Sequence, residues 1–167
     1  MSAPPLLTID RDLTDPDVVA LLASHLADMR AVSPPESVHA LDLDALRADD
    51  ITFLVARDAD HDGAAGALLG VGALKVLDDP DEPGGHGEVK SMRTTHAAVR
   101  RGVATAVLLR LLEVAREQGL GRVSLETGAE PFFEPARRFY ARHGFTPCPP
   151  FVGYAADPNS VFLSRAV

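Results

Sequence analysis

The sequence predicts a mixed α/β domain in which a helix crosses between two parallel strands. Three observations carry this. Residues 103–117 repeat apolar positions at helical spacing: Val103, Val107, Leu111 and Val114 line one face, Leu108, Leu112 and Ala115 widen it, and Arg110, Glu113, Arg116 and Glu117 lie opposite. Strand-like runs at 88–94 and 122–126 flank that helix, and a helix crossing between two strands of one sheet makes them parallel. Ahead of them, apolar runs separated by turn-rich loops read as a strand meander.

Each element has a local reason. Residues 6–11 alternate enough for a short first strand. Asp15-Pro16 opens a helix, with Asp15 as N-cap and Pro16 at the first helical position, where its missing N–H costs nothing. Val18, Leu21, Leu22, His25 and Met29 recur at helical spacing until Ser33-Pro34-Pro35-Glu36-Ser37 breaks the pattern. A short second helix is expected at 41–46. Strands at 51–56 and 67–77 are joined by the loop 58–66, and a polar loop at 78–87 leads to the strand at 88–94. Gly119 stops the long helix. After the strand at 122–126 come a helix at 132–143, ended by Gly144, and a strand-like tail with a turn at Asp157-Pro158-Asn159-Ser160.

Length and composition bound the function. A chain of 167 residues, 46% apolar and 24% charged, fits one folded domain over residues 1–167 and excludes global disorder. No run approaches the roughly 18 apolar residues of a membrane span. Met1-Ser2-Ala3-Pro4-Pro5 lacks the basic start of a signal peptide, so a cytoplasmic location is expected. Cys148 is the only cysteine, which excludes an internal disulfide and a Cys-rich zinc site. Held between prolines, it reads as an incidental thiol. The net charge of −8 argues against nucleic acid as a partner. That charge is split: residues 1–90 carry 18 acidic and 6 basic groups, whereas residues 91–167 carry 6 acidic and 10 basic groups.

Asp58-Ala59-Asp60-His61-Asp62-Gly63 matches the opening of an EF-hand loop, but Leu69 stands where the twelfth-position Glu is required. It reads as an exposed hairpin loop. His86 and His96 are isolated, and no metal site is expected.

The most informative stretch is Arg100-Arg101-Gly102-Val103-Ala104-Thr105, between a strand and the long helix. A helix start offers unsatisfied N–H donors and a positive dipole end, and two arginines add charge. The stretch suits a pyrophosphate, or else is a plain turn with solvated arginines. Neither the Walker loop nor the Rossmann glycine spacing is present.

Residues 88–145 resemble the core of the GNAT superfamily of N-acetyltransferases. The family's Q/R-x-x-G-x-G/A loop corresponds to Val99-Arg100-Arg101-Gly102-Val103-Ala104. Its A-x-x-x-Y-x-x-x-G-F element corresponds to Ala136 through Tyr140 to Gly144-Phe145. The resemblance implies a mixed central sheet with helices on both faces, acetyl-CoA as co-substrate, and a small-molecule or peptide amine as acceptor. It implies that Met92, Arg93 and Thr94 lie along pantetheine and the acetyl group, and that N–H groups from Arg100 to Thr105, including those of Arg101, Gly102, Val103 and Ala104, hold the pyrophosphate. Two positions depart from the pattern: Val99 replaces the usual Gln/Arg, and Phe133 replaces an Asn seven residues before the tyrosine.

Catalytic candidates follow. The family register makes Tyr140 the acid that protonates the departing thiolate, whereas periodicity alone favours a core tyrosine. The acceptor amine must lose a proton, for which Glu88 is the first candidate. Glu126, Glu36 and His39 are candidate acceptor contacts. For both strand glutamates a satisfied structural carboxylate is the alternative, and for Glu36 and His39 a solvated loop. A non-catalytic acyl-CoA sensor is the second functional reading, and the chain is expected to be a monomer or homodimer.

Overall fold

The computed structural model describes residues 3–59 and 65–167. Its strands are β1 (Leu6–Ile9), β2 (Ile51–Ala59), β3 (Ala65–Leu77), β4 (His86–Thr94), β5 (Arg122–Gly128), β6 (Thr146–Pro147) and β7 (Ser160–Ala166). Its α-helices are α1 (Pro16–Val32), α2 (Leu43–Leu46), α3 (Val103–Glu117) and α4 (Glu134–Arg142). All seven strands form one sheet in the order β1-β2-β3-β4-β5-β7-β6. Only β4 and β5 pair in parallel, joined by the α3 crossover.

Alternation along β2 shows how the sheet is covered. Phe53 and Val55 pack with Leu13, Val18, Leu22 and Leu46 under α1 and α2. Leu54 and Ala56 face the opposite way, into a core with Val107, Leu108, Leu111, Leu125, Tyr140 and Phe145 under α3 and α4. Helices therefore lie on both faces, as the sequence resemblance implied.

Several boundaries differ from the sequence reading, each for a local reason. β1 ends at Ile9 because the Asp10 side chain accepts bonds from the N–H groups of Asp12 and Leu13 at 3.0 Å, closing a turn. Asp15 stands at the N-cap of α1 but makes no cap bond, and its carboxylate instead lies 2.9 Å from Arg57. The helix expected at 132–143 is a 3-10 turn, Pro131–Phe133, followed by α4; Pro135 has no N–H to extend a regular ladder. β4 begins two residues early, at His86, whose Nδ1 and Nε2 lie 2.6 Å from Asp79 and from Ser124. The calcium-like pattern falls largely on residues 60–64, outside the described residues.

Two irregularities in β4 position the site. Against β3, Val71 pairs with Arg93 and Ala73 with Lys90, so Ser91 and Met92 together oppose Gly72. That is a β-bulge, with Ser91 at φ 55°. A Cβ on Gly72 would lie 2.6 Å from both the Met92 sulfur and Val107 Cγ1, so only glycine lets the bulge and α3 pack there. On its other side, β4 pairs with β5 only from His86 to Glu88.

Candidate active site

A cavity of about 890 Å³ opens where β4 and β5 part. One wall is β4 from Val89 to Thr94, and the other is Glu126 to Gly128 of β5 with Tyr140 of α4. Arg100 and residues 102–105 close one region, and His25, Asp28, His39 and Ala40 line another. A strand edge left without a partner presents unpaired backbone groups, to which an extended ligand can add.

The start of α3 supplies more open donors. Gly102, at φ 77°, is its N-cap, and no side chain caps the helix. Among the described residues the first bond into α3 runs from Ala106 N–H to Gly102 carbonyl, leaving the N–H groups of Val103, Ala104 and Thr105 without an acceptor. A 15-residue helix directs its positive dipole end there. Arg100 also lines the cavity. Arg101 does not; its guanidinium is 2.8 Å from Asp58.

Tyr140 is 7% exposed and lines the cavity. Its hydroxyl makes no hydrogen bond among the described residues, and burial pushes its pKa above the usual phenol range. Both sequence readings hold in part: the ring packs in the core against Phe139 and Phe145, and the residue borders the cavity.

The two strand glutamates separate. Glu88 is buried and does not line the cavity. Its Oε1 accepts from Lys90 Nζ at 2.8 Å and from the Tyr154 hydroxyl, and Lys90 also donates to that hydroxyl at 2.9 Å. Glu126 lines the cavity and has no ion pair among the described residues. Burial pushes its carboxyl up to about 7, opposed by the Ser160 hydroxyl and the Lys90 charge and aided by Glu88 and Asp157. His39 lines the cavity and stacks edge-on against Tyr154 at 5.0 Å. Glu36 is exposed on the 3-10 turn Pro35–Ser37, outside the lining. Met92, Arg93 and Thr94 all line the cavity.

Lys90, Tyr154, Asp28 and His25 are the side chains that sequence reasoning passed over. Lys90 was legible, since it follows Glu88 by two on one strand and shares its face. Tyr154 lies 66 residues from Glu88 in an irregular loop, and nothing local marks it. Asp28 on α1 pairs with Arg93 on β4. His25 is partly buried beside them, its Nδ1 has no partner, and burial holds its pKa down at about 4. The described residues contain no group of three or more His, Cys, Asp and Glu that could hold a metal, and no helix long and apolar enough to cross a membrane.

A bulged strand splayed from a parallel neighbour, beside a helix start with open donors, is the arrangement that the sequence resemblance implied for an acetyl-CoA-dependent transferase. The acetyltransferase (GNAT) family model matches residues 18–145, and the chain belongs to that family. It is a small N-acetyltransferase of that family. The chain is 48% identical over 154 residues to the N-acetyltransferase YsnE of Bacillus subtilis (strain 168), spanning 92% of this chain and 95% of the relative. It is 35% identical to the IAA acetyltransferase of Azospirillum brasilense, spanning 96% and 98% of the two chains. The fold matches that of Arabidopsis thaliana NAA60 in complex with acetyl-CoA, with a TM-score of 0.66 at 16% identity, covering 98% of each chain. These relatives do not favour a non-catalytic sensor.

Proposed function

We propose that this protein, as one domain, transfers the acetyl group of acetyl-CoA directly to an amine held beside Glu126. The observation that carries the reading is the parting of β4 from β5 after Glu88 and Ser124, which puts Tyr140 and Glu126 on one cavity with the open start of α3. Residues 102–105 and Arg100 hold the pyrophosphate. The free edge of β4 at Met92, Arg93 and Thr94 holds the pantetheine arm by main-chain pairing, and an N–H near Met92 polarises the thioester carbonyl. The bound co-substrate supplies an activated acetyl thioester. Glu126 takes the proton that the attacking ammonium must lose, directly or through one water. The neutral amine then forms a bond to the acetyl carbon as the carbon–sulfur bond breaks; Tyr140 donates its proton to the departing sulfur, and the second nitrogen proton is lost to solvent, from which Tyr140 is reprotonated, leaving a neutral amide and a free thiol. Holding the two substrates together supplies several kcal/mol of the barrier reduction.

Glu126 replaces Glu88 as the favoured base because Glu88 already holds Lys90 and Tyr154 and lies behind the cavity wall. Thiol release from acetyl-CoA across a panel of amines tests the function. Amine-dependent release, lost in Glu126→Gln and kept in Glu88→Gln with intact fold, supports the reading. Acetyl-CoA binding without release on any amine overturns it.

A further inference from the structure

The charges around the cavity fall into three kinds. Six acidic or basic side chains other than histidines line it: Asp28, Lys90, Arg93, Arg100, Glu126 and Arg142. Lys90 is already committed, 2.8 Å from Glu88 with both side chains nearly buried. Arg93 is committed to Asp28. Arg100 and Arg142 have no ion pair among the described residues, and the first belongs to the loop assigned to the donor phosphates. Glu126 is the one carboxylate of the lining with no cationic partner among the described residues.

Of the three histidines on the lining, His25 adds no charge near neutral pH. His25 touches the Asp28–Arg93 region, but burial keeps it neutral, with a pKa near 4. His39 is stacked on Tyr154. Lys90 and Arg93, the two cations of the β4 wall, are therefore matched one to one by carboxylates, whereas Glu126 on the facing strand has no ion pair among the described residues.

From this count we infer that the acceptor is an amine bringing one positive charge and no carboxylate next to the nitrogen. The inference rests on the proposed reading of the site. An ammonium entering beside Glu126 completes its pairing. An α-amino acid would bring a carboxylate beside Glu126, where Lys90, the cation that acts on Glu126, is already paired with Glu88 and Arg93 on the same strand is paired with Asp28. Burying such a group unpaired is strongly unfavourable.

Matched substrates test this directly. Thiol release from acetyl-CoA is measured with phenethylamine against phenylalanine, tyramine against tyrosine, and isobutylamine against valine; the members of each pair differ only by the α-carboxylate. The expected result is a kcat/KM at least tenfold higher for the amine in every pair that turns over. Equal or better use of the amino acids overturns the inference and leaves the acetyltransferase reading standing. No release with any of the six, nor with a wider amine panel, overturns both. A gain-of-function variant adds a second arm: Asp28→Asn frees the Arg93 guanidinium to accept a carboxylate. The amino-acid to amine ratio should rise severalfold in a variant whose circular dichroism and acetyl-CoA affinity match the parent. An unchanged ratio in that folded variant counts against the inference.

Discussion

Glu88 and Ser124 are the last residues in register between β4 and β5, and the cavity begins where their pairing ends. Glu88 stands behind that fork, its carboxylate bonded to Lys90 and Tyr154, while Glu126, two residues beyond Ser124, stands inside it. One strand step thus separates a structural carboxylate from a chemically available one.

Glu126→Gln should lower kcat/KM at pH 8 by about 100-fold, the usual scale for losing a general base. With a carboxyl near 7, the parent's rate should rise with pH through about 7 as Glu126 ionises. That ascending limb should vanish in the variant. A pH–rate profile from 5.5 to 9 checks both, and a limb that persists in Glu126→Gln removes the residue from its role.

The same carboxyl predicts an opposite effect on stability. Its folded-state pKa is raised from 4.5 to about 7, so folding retains a proton that the unfolded chain has lost in that window. The parent therefore loses stability as pH rises from about 4.5 through 7. Glu126→Gln abolishes that loss and should be more stable than the parent at pH 8 by about 1–3 kcal/mol. Urea unfolding at pH 5 and pH 8 measures the difference.

Tyr140→Phe keeps the ring that packs on Phe139 and Phe145 and removes only the hydroxyl. Turnover should fall about 100-fold with acetyl-CoA affinity within about twofold of the parent. Pre-steady-state thiol release alongside calorimetric titration separates these quantities. Undiminished release in the chemical step would leave Tyr140 as a core residue alone.

Arg100→Ala should weaken acetyl-CoA binding about tenfold and flatten its salt dependence, since one charge-assisted contact is lost. Arg101→Ala should have the smaller effect, because that guanidinium is drawn toward Asp58 and away from the cavity. Titrations at two salt concentrations compare them.

Gly72→Ala should destabilise the fold by about 1–3 kcal/mol, because the new methyl would meet Met92 and the stiff Val107 side chain at 2.6 Å. Any relief moves the β4 bulge. Acetyl-CoA affinity should therefore fall together with the urea midpoint, and a stable variant of unaltered affinity would show that the bulge tolerates displacement.

The sequence reading placed the loop before α3 and the parallel crossover correctly because those features are local, and the residue that the family resemblance singled out, Tyr140, borders the cavity. A 3.6-residue period, a left-handed glycine and a helix start are properties of neighbouring residues. The Val99 departure leaves the open donors intact, since they belong to the main chain: Val99 is 53% exposed ahead of the turn, and the N–H groups of residues 103–105 stay without acceptors. Phe133 is buried, and its ring lies edge-on to Phe132 at 5.0 Å.

What sequence alone determined, then, is the order of elements and the helix start at residues 102–105, set by periodicity and spacing along the chain, while the two-faced sheet followed from the family resemblance. Which glutamate faces the cavity was decided only by tertiary structure. Glu88 and Glu126 sit on adjacent strands with similar local patterns. Their difference arises from where the strand pairing stops and from Tyr154, 66 residues from Glu88, reaching back to bond one of them. The pairing of Arg93 with Asp28, 65 residues apart, was likewise invisible along the chain. Charge balance in a cavity depends on three-dimensional neighbours, because an ion's energy is set by what surrounds it within a few ångströms.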